Sequence, residues 1–331
     1  MRARDRGRGR SWNGSGSAPP GARNDEGRVA MRSGRIKNRQ AIERVLFDAA
    51  NEVELLLAVL FEHPDDVEAN HKFRVSIRTL RALIDFIKPF QSAAQNRRMQ
   101  ANLRGVVLET SRLREIDVFS ELVAEDTEAQ GCPPAADSRS DLQKVCDLMR
   151  EEELERALAA LGSKKARRAL RDAYYDARNI AWKGDIATEG IPKKDVTGRF
   201  DELVAAQNAR QAALDPMDVE LTHKVRKKAK QVRYAASEFG MLLGDDALRV
   251  AKDMKHAQDD LGAYCDALVN LQMIDEFPRE GLSLAGRRQL YQLAERNAAY
   301  LEEALAGFQA KQHEAADSAA EEAGDASAQH A

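Results

Sequence analysis

The sequence predicts an all-α protein, and three observations support this fold class. Of the 331 residues, 43% are apolar and 32% are charged, but only 5% are aromatic, so the chain is poor in residues that fill β-sheets. The nine prolines and the glycines separate long segments in which apolar residues recur at helical spacing. One of these segments also occurs twice. We therefore expect helices throughout and little room for strands.

The helical periodicity divides the chain into nine segments. Pro64 before Asp65 opens one of them and Pro89 closes it, since proline is tolerated in a first helical turn but not in a helix interior. Residues 131–134 are predicted to be a loop, and residues 189–192 to be the break between two halves. The predicted helices are 37–62, 65–88, 94–126, 140–161, 163–184, 196–213, 216–243, 245–277 and 283–311.

The two ends of the chain differ from its body. Residues 1–36 form an Arg-rich segment with too little apolar surface to offset chain entropy, so they are predicted to be a disordered basic arm. Residues 313–331, rich in Ala, Glu, Asp and Ser, are predicted to be a disordered acidic tail. Between them, residues 37–190 and 191–312 are predicted as two helical halves. The net charge is −3, so the body is acidic once the arm is set aside.

Cysteine usage and hydropathy exclude several classes of protein. The three cysteines, Cys132, Cys146 and Cys265, include no CxxC pair, which argues against a disulfide framework and against a cysteine zinc site. No stretch approaches the roughly 18 to 20 uncharged apolar residues of a membrane span. We therefore expect a cytoplasmic protein with no membrane partner, metal or other cofactor.

A short basic and apolar segment occurs twice. Its four cationic positions return 152 residues later. They are His71, Arg74, Arg78 and Arg81 in the first copy, named here the first cationic stripe, and His223, Arg226, Lys230 and Arg233 in the second copy, named the second cationic stripe. A further block, 111–118, aligns with 262–269 at nearly the same offset. The two halves are therefore predicted to be copies of one helical unit.

Each stripe occupies one side of its predicted helix. At about 100° per residue, the first stripe falls within an arc of roughly 80°. No acid is interleaved with it, and like charges at this spacing repel by roughly 0.2–0.5 kcal/mol per pair. The stripes therefore predict an anionic ligand, with a solvated helix face as the alternative. The opposite, apolar sides are Phe73, Ile77, Leu80, Ile84 and Ile87, and Leu221, Val225, Val232 and Phe239; Lys227 and Tyr234 lie at the edge of the second stripe.

These motifs resemble those of the CHAD family of α-helical domains. Residues 71–81 are similar to its pattern His-x-x-Arg-Val-x-x-Arg-Arg-Leu-Arg, with Thr79 in place of one arginine. Residues 223–234 look like His-x-x-Arg-Lys-x-x-Lys-x-x-Arg-Tyr, and residues 258–266 like Gln-Asp-x-Leu-Gly-x-x-x-Asp. Residues 114–118 resemble Arg-Asp-x-Asp-Val, with Glu for the first Asp. The resemblance covers roughly residues 40–310.

The resemblance implies two pseudo-symmetric bundles of roughly four long helices each, facing each other across a basic groove. It also implies a ligand, inorganic polyphosphate, and an association with polyphosphate granules or with enzymes of polyphosphate metabolism. The physical chemistry agrees, because a chain of phosphates without bases needs only guanidinium forks and ammonium groups along its path.

The hypothesis assigns a role to each predicted site residue. Five arginines are predicted to donate bidentate hydrogen bonds to phosphoryl oxygens: Arg74, Arg78, Arg81, Arg226 and Arg233. Lys227 and Lys230 act as mobile charges, and His71 and His223 donate when protonated. The additional candidates are Arg114, Lys224, Tyr234 and Lys255. A further basic cluster is interpreted as a solvated helix face rather than a groove entrance: Lys164, Lys165, Arg167, Arg168 and Arg171.

Other functions are less well supported. No Walker loop, HExxH or GxSxG motif is present, and residues 52–56 lack the Lys of a triphosphate-tunnel motif, so we expect no enzyme activity. RNA binding is the main alternative, since a cationic groove does not distinguish two kinds of phosphate chain, although the stripes offer few aromatic rings for base stacking. A histidine phosphoacceptor is a weaker alternative. A structural role alone predicts stripes that bind nothing.

Overall fold

The computed structural model describes the backbone of residues 22–129, 140–215 and 217–328, and the side chains of residues 30–128, 140–215, 217–259 and 261–308. Within these ranges the chain forms twelve helices and no strand, which confirms the all-α prediction. The predicted loop at 131–134 lies outside the described residues. The helices are α1 (Ala22–Glu62), α2 (Val67–Phe86), α3 (Ala93–Leu108), α4 (Ser111–Ala129), α5 (Asp141–Leu161), α6 (Lys164–Arg178), α7 (Ile186–Glu189), α8 (Lys193–Ala212), α9 (Val219–Glu238), α10 (Gly240–Leu243), α11 (Asp246–Glu276) and α12 (Leu284–Ala328).

The helices that carry the stripes, α2 and α9, begin at equivalent positions. The Asp66 carboxylate caps α2 by accepting a hydrogen bond from the amide of Glu68 at 2.9 Å. The Asp218 carboxylate caps α9 by accepting one from the amide of Leu221, also at 2.9 Å. Asp218 lies 152 positions after Asp66, which is the offset of the stripes. Aspartate is a strong N-cap residue, so the repeat includes the start signal of the helix.

Two predicted helices are each divided in the structure. The predicted helix 94–126 is broken between α3 and α4, where the hydroxyl of the buried Thr110 donates to the carbonyl of Val107 at 3.3 Å. The predicted helix 216–243 is broken at the buried Phe239, which lies between α9 and α10. Both breaks lack proline, so helical periodicity alone did not indicate them.

Helix α1 begins earlier than predicted, and α12 ends later. Residues 22–36, predicted to be part of a disordered arm, are helical, because the amide of Ile191 donates to the carbonyl of Arg35 at 3.0 Å and Asn38 donates back to the carbonyl of Ile191 at 2.9 Å. The predicted acidic tail is helical up to Ala328, consistent with its Ala- and Glu-rich composition. Residues 1–21 lie outside the described part of the chain.

The apolar faces predicted for the repeated helices are buried. The five apolar residues predicted for the first copy are at most 1% exposed. In the second copy Val225 and Val232 of α9 are buried, as is Phe239, which follows α9, whereas Leu221 is partly exposed. The rings of Phe86 and Phe239 lie 4.7 Å apart between their centroids. One apolar cluster therefore joins α1, α2, α3 and α6 to α8 and α9. A second joins α4 and α5 to α11 and α12, so both clusters combine helices from both halves.

Four helices form a closed ring of contacts. Helix α2 contacts α9, α9 contacts α11, α11 contacts α4, and α4 contacts α2. The apolar faces of α2 and α9 are committed to the core, so their opposite faces are free to line the space that the ring encloses. Within the described residues, no helix is both long and apolar enough to cross a membrane.

Candidate functional site

The helices of the two cationic stripes, α2 and α9, contact each other, and we call the space enclosed by α2, α4, α9 and α11 the groove. Their charges act on each other across it. Burial lowers the pKa of His71, and Arg114 and Lys230 lower it further. Burial also lowers the pKa of Lys230 to about 8, and the charges of Arg226 and Arg78 add to this effect. Charges of the first stripe therefore lie within electrostatic range of charges of the second stripe.

Three cations from three different helices lie within electrostatic range of one another through Arg78: Arg78 of α2, Arg114 of α4 and Lys230 of α9. We call them the central cations. Within the described residues none of them makes a side-chain hydrogen bond or an ion pair. Arg78 is accessible to solvent, yet desolvation by the groove walls lowers its pKa, and Arg226 and Arg114 lower it as well. Asp266 offsets part of this effect at Lys230, but converging cations with no ion pair of their own are costly unless an anion joins them.

The two histidines lie at the ends of their stripes and are half-buried. Burial lowers the pKa of His223, and the charges of Lys227 and Arg226 contribute. As for His71, the neutral form is favoured in the unliganded protein. The predicted donation by protonated imidazolium therefore requires an anion that restores the charged form.

Arg226 is held by α11. Its Nη1 and Nη2 atoms donate to the two carboxylate oxygens of Asp266 at 3.1 and 3.4 Å, a bidentate arrangement. Its Nε is buried without a partner in the described part of the chain. A Cβ on Gly262 would lie 3.3 Å from Nη2 of Arg226, so this glycine makes room for the guanidinium. The Gly and Asp of the Gln-Asp-x-Leu-Gly-x-x-x-Asp motif thus position one groove arginine.

Arg74, the equivalent of Arg226, was predicted to bind phosphate, but its side chain is buried in hydrogen bonds to the protein. Its side chain is 5% exposed, and Nη1 donates to the carbonyl of Val107 at 2.8 Å and to the hydroxyl of Thr110 at 2.9 Å. Burial lowers its pKa to about 9. Arg74 therefore stabilises the turn between α3 and α4, and this turn places Arg114 in the groove.

The other predicted residues lie around the centre. Arg81 donates to the side-chain carbonyl of Gln100 at 3.0 Å. The guanidinium carbon of Arg233 lies 4.8 Å from the ring centroid of Tyr234, a cation–π contact. Lys224, Lys227 and Lys255 are exposed, and Lys255 pairs with Asp259 at 3.3 Å.

Arg104 of α3 belongs to the site but was not predicted from the sequence. Burial lowers the pKa of Arg81, and the charge of Arg104 is the next cause. Arg104 lies outside the repeated segments, so self-comparison of the sequence gave no signal for it. Only its spacing from Gln100, one helical turn earlier, places it on the side of α3 that faces α2.

The fold and the site define a class of protein, an all-α domain in which a repeated helix lines a cationic groove. A family model, described as the CHAD domain, matches residues 48–275. This match spans more than half of the chain, so the chain belongs to the CHAD domain family, which confirms the resemblance found in the sequence.

Solved structures show the same fold. The crystal structure of the CHAD domain from the plant Ricinus communis superposes with a TM-score of 0.65 at 18% identity, over 83% of this chain and 91% of that one. PptA from Streptomyces chartreusis gives a TM-score of 0.59 at 19% identity, over 82% of this chain and 97% of that one. No curated protein matches the chain.

Proposed function

We propose that the groove binds inorganic polyphosphate. The observation that carries this proposal is the convergence of Arg78, Arg114 and Lys230 from three helices, without an acid bound to any of them among the described residues. Each phosphate of a linear chain brings about one negative charge, and guanidinium groups bind phosphoryl oxygens with strong, directed hydrogen bonds. An incoming phosphate chain would relieve the mutual repulsion of these cations.

The groove favours polyphosphate over RNA, the second candidate. Sequence-tolerant RNA binding uses aromatic rings on which bases stack. Tyr234 is the aromatic residue at the edge of the second stripe, and the guanidinium of Arg233 already covers its ring. A ligand that presents phosphates alone fits this surface better than one that also has bases to stack.

The protein is proposed to bind the chain without cleaving it. Two acids close to the stripes are paired with cations: Asp266 with Arg226 at 3.1 Å, and Glu115 with Arg112 at 3.4 Å. A general base needs an available carboxylate or imidazole close to a reacting group. These two carboxylates are committed, and the proposal assigns the imidazoles of His71 and His223 to phosphate binding. We propose that binding serves to place the protein on cytoplasmic polyphosphate granules or to regulate enzymes of polyphosphate metabolism.

The test is an equilibrium titration of the full chain with polyphosphate at about 0.15 M salt, repeated with single-stranded RNA as competitor. The variant Arg78→Ala/Lys230→Ala, called the groove variant, removes two central cations. The control, Lys193→Ala/Lys194→Ala, removes two exposed charges at the start of α8. The same titrations are repeated with a protein in which five arginines of the N-terminal arm are changed to Gln, so that the arm no longer contributes to binding. These arginines are Arg2, Arg4, Arg6, Arg8 and Arg10.

We expect the groove variant to lose at least about tenfold in affinity, since two charge-assisted contacts are worth more than 1.4 kcal/mol. The control should bind like the parent, and RNA should not displace polyphosphate. Equal binding by the groove variant and the parent would overturn the proposal. Displacement by RNA at similar concentrations would favour the second candidate.

A further inference from the structure

We infer that α6 and the adjoining surface of α3 form a second binding surface for the same polyphosphate chain, so that the protein discriminates long chains from short ones. This inference rests on the proposed function of the groove. It assigns a ligand to the basic cluster that the sequence suggested was a solvated helix face. We call this surface the α6 surface, formed by Lys164, Lys165, Arg167, Arg168 and Arg171. Lys164, Lys165 and Arg168 line the cavity against α3, whereas Arg167 and Arg171 line a neighbouring cavity against α1.

The charges of the α6 surface are poorly compensated. All five cations are exposed, and Asp172 is the acid that accompanies them in α6. Arg168 and Arg171 share this carboxylate at 3.6 and 3.7 Å. Among the described residues, Lys164, Lys165 and Arg167 make no ion pair. A solvated helix face usually mixes both signs of charge, whereas this one attracts anions.

The α6 surface is also concave. A cavity of about 510 Å³ lies between α3 and α6. Lys164, Lys165 and Arg168 line it together with small residues of α3 such as Gly105. Two acids also line it, and both are paired with arginines: Glu109 with Arg156 and Asp172 with Arg168. A concave surface lets several cations reach one strand of phosphates at once, and it focuses their field. The shape therefore suits a chain of phosphates lying between the two helices.

Arginines of α3 connect the α6 surface to the groove. Gln100 accepts the hydrogen bond of Arg81 and so marks the side of α3 that faces α2. Ala101 marks the side that faces the cavity. At about 100° per residue, Arg97 and Arg104 both lie between these two positions, and both are exposed. A chain that leaves the groove at Arg81 meets these arginines before it reaches the cations of α6.

The groove alone accommodates a short ligand. The first stripe extends over eleven residues, from His71 to Arg81, which corresponds to about 15 Å of helix. Tripolyphosphate can be held within that length, whereas a longer chain must continue beyond it. When one end is bound in the groove, the remainder is presented to the α6 surface at high effective concentration, and affinity rises without any change in the groove.

The experiment compares tripolyphosphate with chains of about 100 phosphates, titrated against the full chain and two variants. Lys164→Gln/Lys165→Gln/Arg168→Gln removes the cations at the rim of the cavity. The charge-matched control, Lys193→Gln/Lys194→Gln/Arg288→Gln, removes three cations that are exposed on α8 and α12.

We expect the α6 variant to lose about tenfold or more in affinity for the long chain and to bind tripolyphosphate like the parent. For this variant, the slope of the logarithm of the binding constant against the logarithm of the salt concentration should be shallower by about 2, since each lost phosphate contact removes roughly 0.7. The inference is overturned if the α6 variant and the control bind the long chain equally well. If the parent binds neither ligand, the proposed function itself has failed, which is a different outcome.

Discussion

At the scale of residues, the repeat places chemically similar side chains in different roles. Arg74 and Arg226 are equivalent in sequence, but Arg74 is buried in hydrogen bonds to the α3–α4 turn, whereas Arg226 is held at the groove by Asp266. The sequence predicted phosphate contacts for both. The sequence could not distinguish the two arginines, because their difference depends on the turn between α3 and α4. This turn, at Thr110, contains no proline or glycine that would indicate it.

Arg74 and Arg78 provide a direct comparison of a structural and a binding arginine. Arg74→Ala leaves the carbonyl of Val107 and the hydroxyl of Thr110 without their charged donor, so we expect the free energy of unfolding to fall by about 2–4 kcal/mol. Arg78→Ala removes a repelled charge and should change stability by less than about 1 kcal/mol. Urea denaturation followed by circular dichroism measures both. Similar losses in the two variants would contradict these roles.

The lowered pKa of Lys230 predicts that the affinity for polyphosphate depends on pH. Burial lowers its pKa to about 8 in the unliganded protein, and a bound phosphate favours the ammonium form and raises the pKa again. At a pH of about 9, binding should therefore take up protons, and affinity should fall as pH rises through this range. Calorimetry in two buffers with different ionisation enthalpies measures the uptake. Lys230→Arg stays charged, so its affinity should be nearly independent of pH over this interval; the same proton uptake in this variant would contradict the assignment.

The lowered pKa of Lys230 also makes the stability of the unliganded protein depend on pH. The lowered pKa means that the folded state disfavours protonated Lys230, so this lysine destabilises the free protein below pH 8, and the penalty disappears as pH rises toward the ordinary value. Bound polyphosphate should reverse the trend by stabilising the folded state most at the lower pH.

At the scale of helices, the sequence predicted what depends on local signals. The opening of α2 after Pro64 and the apolar faces of α2 and α9 are local, and the structure confirms them. The start of α9 was predicted at Asp215-Pro216, but the helix begins three residues later, at Val219, because Asp218 provides the cap. The early start of α1 depends on Ile191, which is more than 150 residues away in the chain and pairs with the carbonyl of Arg35. Periodicity within one segment carries no information about such a contact.

Gly190 is the residue that allows this contact. Its φ of 74° lies in the left-handed region, and a Cβ there would be 2.1 Å from the carbonyl carbon of Arg35. We expect Gly190→Ala to destabilise the protein by about 2–4 kcal/mol, from backbone strain and the clash together.

Gly198 provides the control for this variant. It lies within α8, and a Cβ there would meet nothing within 4 Å. Gly198→Ala should therefore stabilise the protein by up to about 1 kcal/mol, since alanine favours the helix. Thermal unfolding distinguishes the two. An unchanged unfolding temperature for Gly190→Ala would show that α1 does not depend on the close contact between Gly190 and Arg35.

At the scale of the molecule, the fold concentrates positive charge inside a slightly acidic protein. The net charge of −3 gives no indication of a polyanion ligand, and the groove arises because α2, α4, α9 and α11 contact one another in a ring. The repeat allowed the groove to be predicted from α2 and α9. The contributions of Arg114 on α4 and Asp266 on α11 depend on the packing of that ring, and Arg104 was missed for the same reason.

The measurement that tests the central claim most directly is a crystal structure of the full chain with bound tripolyphosphate. The account predicts phosphoryl oxygens within about 3 Å of Arg78, Arg114 and Lys230, with the carboxylate of Asp266 still on Arg226. Phosphates found only outside the ring of α2, α4, α9 and α11, with the groove cations unchanged, would contradict it.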